Sequence, residues 1–262
     1  MTTSSFFPSL TKLSHSESYP AISPSRPELS VKDKVVVITG GGSGIGASIA
    51  KAFAAGGSTK IAIISRTEKN LLATKHAIEE EFLGTKVLAV PTDITNAGQV
   101  DDAFLKISQT FSKIDVLVCN SAFMPVPKPV LSPDFDVQDW WTAFNTNILG
   151  ALYTVKGFVK YAAEGAHILH ISTCVGHMPP LEAGVSAYAA SKSAGAKLFD
   201  YIAFENPELH VVNVHPGLVD TDMSRKSGHG GMDHSKLPKI FLLLCSLYFF
   251  RSMKLVKRFG SL

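Results

Sequence analysis

The stretch Val35-Val-Val-Ile-Thr-Gly-Gly-Gly-Ser-Gly-Ile-Gly46 decides the fold of this chain. Its apolar opening reads as a buried strand, and the residues from Gly44 to Gly56 carry the pattern of a helix. Between them stand Gly40, Gly44 and Gly46, with Ser43 and Ile45 in the same turn. Glycine lets backbone turn tightly and approach a ligand closely. A strand that turns on glycines into a helix N-terminus offers N–H groups and a favourable dipole to a phosphate. The stretch is therefore read as a nucleotide cradle.

Working outward, apolar strand patterns alternate with helix-length amphipathic segments. Strands are expected at Ile61–Ser65, Val87–Val90, Val116–Cys119, His167–Ser172 and Val211–His215. Helices are expected at Glu68–Phe82, Val100–Phe111, Trp140–Ala163 and Ser186–Phe204. With Val35–Thr39 these make a parallel sheet covered on both faces. Right-handed crossovers then give an α/β, doubly wound, Rossmann-type single domain with ligands at the carboxyl ends of the strands.

The second informative stretch is Tyr188-Ala-Ala-Ser-Lys192. On a helix this spacing puts a phenol and an ammonium on one face. A cation beside a phenol is expected to lower a pKa that is ordinarily about 10. A nucleotide cradle and a tuned proton donor together point to hydride transfer coupled to proton transfer.

Composition narrows the field. The 262 residues are 45% hydrophobic and 18% charged, with a formal net charge of +3. Neither that charge nor any basic stripe argues for nucleic acid. Residues 1–31 are Ser/Pro-rich and read as a disordered tail without signal-peptide character, 32–223 as the dinucleotide-binding catalytic domain, and 224–262 as a divergent C-terminal segment. Cys119, Cys174 and Cys245 are odd in number and widely spaced, which favours free thiols and a reducing, cytoplasmic location. His167 and His170 lie three apart on a strand, hence on opposite faces, and no metal site is expected.

From about Lys32 to Met223 the chain resembles the short-chain dehydrogenase/reductase family, on its glycine motif, Asp93, Asn120, Asn147, Tyr188, Lys192 and Pro216-Gly217 in that order. The runs Ser186-Ala-Tyr-Ala-Ala-Ser-Lys192 and Val212-Asn-Val-His-Pro-Gly217 resemble the reductases of fungal natural-product pathways. The resemblance implies that Gly40, Ser43, Gly44, Ile45, Gly46, Asp93, Asn120, Val219 and Thr221 bind the cofactor, Asp93 at the adenine and Val219 and Thr221 at the nicotinamide amide. Asp93 could equally cap the next helix. At the end of the second strand, Ser65-Arg66 stands where NAD binding usually needs an acid, so NADP(H) is favoured through an Arg66–phosphate pair.

In the same resemblance Tyr188 donates a proton to the developing alkoxide, and Lys192 tunes it and holds the nicotinamide ribose. Asn147 holds a water that extends the proton path. The carbonyl-polarising hydroxyl falls on Thr173, in Ile171-Ser-Thr-Cys-Val-Gly176, with Ser172 the alternative if the strand end shifts by one. Two departures stand out. Ala122 occupies a glycine position of the family, and no clear seventh strand follows Pro216-Gly217. The apolar run Ile240–Phe250, followed by basic residues to Arg258, reads as a core helix or strand or as a membrane-surface element. Trp140 and Trp141 suit packing of the long helix against the sheet or a subunit partner, and a homo-oligomer is expected. The expected activity is NADPH-linked interconversion of a small ketone and a secondary alcohol in secondary metabolism. The competing reading is a catalytically idle nucleotide-binding scaffold.

Overall fold

β1 (Val35–Thr39) has all five residues buried, as its unbroken apolar run requires. The computed structural model describes residues 23, 26–180, 182–217, 219 and 221–226. After β1 come α1 (Gly44–Ala55), β2 (Lys60–Ser65), α2 (Glu68–Glu81), β3 (Lys86–Pro91), α3 (Ala97–Phe111) and β4 (Ile114–Cys119). The chain continues through α4 (Val137–Phe144), α5 (Ala151–Val159), β5 (Ala162–Ile171), α6 (Ser186–Glu205), β6 (His210–Val214) and α7 (Asp222–Lys226).

The six strands are parallel in the order β3-β2-β1-β4-β5-β6. Strand alternation sends Val37, Ile64, Leu117 and Ile168 to one core, with Phe104, Phe158 and Phe199 from the helices. It sends Val36, Ile38, Ile63 and Leu169 to the other, with Ile49, Phe53 and Leu71. The fold is therefore the doubly wound, Rossmann-type sheet. Its order reverses between β1 and β4, so the crevice for a ligand opens where the glycine turn leaves β1 and Asn120 leaves β4. At the opposite end, Asp115 ties these strands by accepting from Lys34 Nζ at 2.8 Å and Val35 N at 2.9 Å.

Several boundaries differ from the sequence reading. The long helix expected over Trp140–Ala163 is instead α4, a π-helical turn at Asn145–Gly150, and α5 ending at Val159. Asp136 starts α4 early by accepting from the N–H groups of Gln138 and Asp139. At the far end Tyr161 N closes a turn on Phe158 O, and Ala162 pairs with Ile114, so β5 begins there and reaches the His167 register through an irregularity. Asn96, not Asp93, caps α3. Upstream, Leu29 and Val31 are buried, and Val31 N bonds to Gly56 O at 3.0 Å, so the packed unit begins a few residues before Lys32.

The His167 ring lies tilted beside that of His210 and His170 lies flat on Phe199, each on a different face of β5. Among the described residues, no helix is long and apolar enough to cross a membrane, and no three metal-ligating side chains cluster. Segment 240–258 and any seventh strand lie outside the described residues, as do Cys245 and most of the Ser/Pro-rich stretch.

Candidate functional site

The glycine turn after β1, the ends of β2, β3, β4 and β5, the first turns of α6 and the start of α7 surround one cleft of about 310 Å³. Gly40, Ser43, Gly44, Ile45, Arg66, Asp93, Asn120, Ser172, Tyr188, Lys192 and Thr221 all line it. Sequence positions more than a hundred residues apart thus converge at the crevice that strand order creates.

The turn is built so that only glycine fits at two of its positions. Gly40 has φ +69°, and a Cβ there would lie 2.7 Å from Asn120 Nδ2. A Cβ on Gly46 would lie 2.2 Å from Gly40 O and 2.6 Å from Asn120 Nδ2. Gly46 is therefore the packing residue of the turn and is itself buried behind the lining. Asn120 locks this approach by donating from Nδ2 to Thr39 O at 2.9 Å. Thr39 Oγ1 accepts from the N–H groups of both Asn120 and Ser121 at 3.0 Å. Ser43 gives α1 no side-chain cap, and Ser43, Gly44 and Ile45 line the cleft, so the start of the helix meets it as a pyrophosphate needs.

Arg66 is exposed and lines the cleft beside Ser65, Thr67 and Asn70. The lining carboxylates are Asp93 and Asp222, and neither lies at the end of β2. Asp93 Oδ1 accepts from Thr95 N and Thr95 Oγ1, which fixes its carboxylate at the end of β3. This end of the cleft offers a guanidinium and small hydroxyls, a set that suits a phosphate monoester.

At the other end stand Tyr188 and Lys192. Lys192 is 3% exposed and donates from Nζ to Ile171 O at 2.6 Å. The same Nζ lies 6.0 Å from the Tyr188 ring centroid. Burial lowers the Lys192 ammonium to about 8, a shift partly offset by the Cys119 thiol. Burial, with a smaller push from the Cys174 thiol, raises the Tyr188 phenol to about 12. The expected lowering of Tyr188 by its neighbour is thus corrected for the protein alone. The spacing brings the pair together as expected, but removal from water outweighs a cation at this distance.

Asn147 sits in the π-helical turn, 2% exposed, with its amide fully engaged. Oδ1 accepts from Phe123 N at 2.7 Å, while Nδ2 donates to Phe123 O and Ser191 Oγ, each at 2.9 Å. The side chain braces the exit of β4 against α6. Beyond β5, Ser172 lines the cleft with a buried Oγ that has no hydrogen-bond partner. Thr173 lies outside that lining, half-buried, where a 3-10 turn at Cys174–Gly176 begins.

Thr221 lines the cleft above Gly44, and its Oγ1 accepts from Ser224 N at 3.1 Å to cap α7. Val219 is half-buried and not in the lining. Ala122 does line it, with a negative φ, so its methyl group introduces no backbone strain. The sequence reading missed Thr67, Asn70, Ser121, Thr146 and Met223, all of which line the cleft. The polar run Thr67–Asn70 just after Arg66 was the available signal. Thr146 and Met223 carried none.

Comparison with known proteins agrees with this architecture. Residues 34–230 match the family described as short chain dehydrogenase. A short chain dehydrogenase/reductase of Claviceps purpurea is 33% identical over 231 residues, covering 85% of this chain and 76% of the relative. The short chain dehydrogenase pigC of Monascus ruber is 29% identical over 236 residues, covering 87% and 75%. Among solved structures, a Burkholderia cenocepacia short chain dehydrogenase in complex with NADP superposes with a TM-score of 0.68 at 30% identity, over 74% of this chain and 77% of that one. A Sinorhizobium meliloti dehydrogenase/reductase gives a TM-score of 0.73 at 25% identity, over 88% and 92%. With its glycine turn, Asn120 lock and Tyr188–Lys192 pair set around one crevice, the chain belongs to the short chain dehydrogenase family.

Proposed function

We propose that this chain is an NADPH-dependent reductase that converts a small or polyketide-like ketone to a secondary alcohol. The observation that carries the reading is that Tyr188 and Lys192 open into the same cleft as the glycine turn and Arg66. The residues fit a dinucleotide: a glycine cradle at a helix N-terminus, a guanidinium where a 2′-phosphate would lie, and the unpartnered Ser172 Oγ along the bed. The NADP in the Burkholderia relative supports the choice of cofactor. The resemblance of the runs Ser186–Lys192 and Val212–Gly217 to reductases of fungal natural-product pathways supports a place in secondary metabolism.

Bound NADPH supplies the hydride. Tyr188 supplies the proton, from its hydroxyl to the oxygen of the reacting carbonyl. With its pKa raised to about 12, the phenol is protonated across the physiological range, as a donor in the reductive direction must be. Lys192, cationic below about 8, stabilises the phenolate left behind and holds the ribose side of the site. Thr173 polarises the carbonyl. Ser172 lines the cleft and Thr173 stands half-buried just outside it; on this reading the dinucleotide covers Ser172 and the substrate enters from the side of Thr173. Asn147 keeps β4 and α6 in register around this pair. Exposed Tyr201 and Phe204 on α6 support self-association.

The test is titration of reduced-nicotinamide fluorescence with NADPH and NADH, followed by turnover of a generic α-diketone. Tight NADPH binding and a turnover that vanishes in Tyr188→Phe are expected. Binding without turnover on any ketone would leave a nucleotide-binding scaffold and overturn the reductase reading.

A further inference from the structure

Lys192 is followed by Ser193, a residue the chemistry above does not use. Its Oγ donates to Gly176 O at 2.6 Å and lies 2.9 Å from Ala189 O within α6. Gly176 closes the 3-10 turn Cys174–Gly176 that begins just beyond Thr173. The approach is tight. A Cβ on Gly176 would lie 3.1 Å from Ser193 Oγ and 3.2 Å from Ser193 N, so the turn rests its backbone directly on the helix. The amides of the next two residues turn back on it, as His177 N and Met178 N both donate to Cys174 O.

We propose that Ser193 is a positioning residue, which fixes the Thr173 hydroxyl relative to the Tyr188 phenol by clamping the turn after β5 onto α6. The inference rests on the reductase reading and on Thr173 as the carbonyl-polarising group. Tyr188 belongs rigidly to α6, whose buried face packs on the sheet. Thr173 belongs to β5 only through its N-terminal side, and past it the chain leaves the sheet. Ser193 supplies the link between the two. A donor and a polarising hydroxyl act on the same oxygen, so an error of about 1 Å in their separation costs up to about a hundredfold in rate.

The experiment compares wild type, Ser193→Ala, Ser193→Thr and Gly176→Ala in three assays. They are turnover of an α-diketone with NADPH, NADPH affinity by fluorescence, and maleimide labelling of Cys174 read on its peptide by mass spectrometry. Cys174 lies in the clamped turn and is a half-buried free thiol, so its labelling reports the clamp without any catalysis. Ser193→Ala and Gly176→Ala are expected to lower kcat about tenfold and to label faster, with NADPH affinity within about twofold of wild type. Ser193→Thr keeps a hydroxyl donor and is expected to restore kcat. An unchanged kcat in Ser193→Ala, with or without faster labelling, overturns the inference. So does a fall in NADPH affinity in step with kcat. A wild-type chain that turns over no ketone defeats the reductase reading itself and takes this inference with it.

Discussion

Lys192 Nζ donates to the carbonyl oxygen of Ile171 at 2.6 Å while standing 6.0 Å from the Tyr188 ring centroid. The buried cation is therefore held by the end of β5, not by the phenol. Burial sets Lys192 near 8 and Tyr188 near 12, so the two groups titrate on opposite sides of their ordinary order. For reduction the phenol is in its donating form throughout, and only Lys192 changes state. We expect kcat/KM for a ketone to be level below pH 8 and to fall above it as the ammonium loses its proton. A profile measured from pH 6 to 10 checks this; a rate that climbs through pH 8 would contradict the assignment.

The same burial carries a stability cost. Lys192 has a lower pKa folded than unfolded, 10.5 falling to about 8, so below pH 8 both states are protonated and the folded state bears the full penalty of a buried charge. Between those values the unfolded state binds more protons, and stability rises with pH. The shift corresponds to about 3 kcal/mol. Replacing Lys192 by Met removes that penalty but leaves Ile171 O unpaired at a cost of about 1–3 kcal/mol. Lys192→Met is therefore expected to be inactive, yet to unfold at a temperature no lower than wild type at pH 7. Its advantage should shrink by pH 9.5. Calorimetry at the two pH values decides, and a large loss of stability at pH 7 would show that the charged form is well solvated in place.

Arg66 is the exposed cation at the end of the cleft where β2 stops. Charge-assisted hydrogen bonds contribute about 1.5–3 kcal/mol, so Arg66→Ala should weaken NADPH by about ten- to a hundredfold. NADH, which lacks the phosphate, should be nearly unaffected. Arg66→Asp should go further and favour NADH, because a carboxylate accepts from ribose hydroxyls and repels a phosphate. Equal losses for both cofactors would remove Arg66 from the recognition of a phosphate.

Two small residues, one buried behind the cleft lining and one in it, make opposite predictions. At Gly46 a methyl group would sit 2.2 Å from Gly40 O, a backbone atom with no room to yield. Gly46→Ala should abolish NADPH binding or folding. Ala122 already fills the family's glycine position with a negative φ. Ala122→Gly should change NADPH affinity by less than about threefold, the ordinary scale of a surface-like substitution. Fluorescence titration of the two variants side by side tests both.

What the sequence made legible was what is local. The glycine turn, the alternation of strands and helices, and the Tyr188–Lys192 spacing depend on near neighbours in the chain, and they stand where their pattern placed them. The break at Val159 was not legible, because Ala162-Ala163 suits a helix period as well as a strand, and only pairing with Ile114 chooses between them. The direction of the Tyr188 shift was hidden for a related reason. Spacing fixes how near a cation lies, whereas desolvation depends on everything else packed around the ring. The contact of Ser193 with Gly176 likewise needs the turn and the helix to be docked before it exists.

The two hydroxyls at the end of β5 stand in different surroundings. Ser172 Oγ is buried in the cleft without a protein partner, and Thr173 stands just outside it. If Thr173 polarises the carbonyl, Thr173→Val removes a donor whose partner charge develops only as the reaction proceeds. That loss should lower kcat by about a hundredfold or more and leave NADPH affinity intact. Ser172→Ala removes a hydroxyl from the cofactor bed, so NADPH affinity should move by up to about tenfold while kcat at saturating cofactor changes little. Should Ser172→Ala instead silence turnover and Thr173→Val retain it, the strand end would be shifted by one residue, and Ser172 would be the carbonyl's partner.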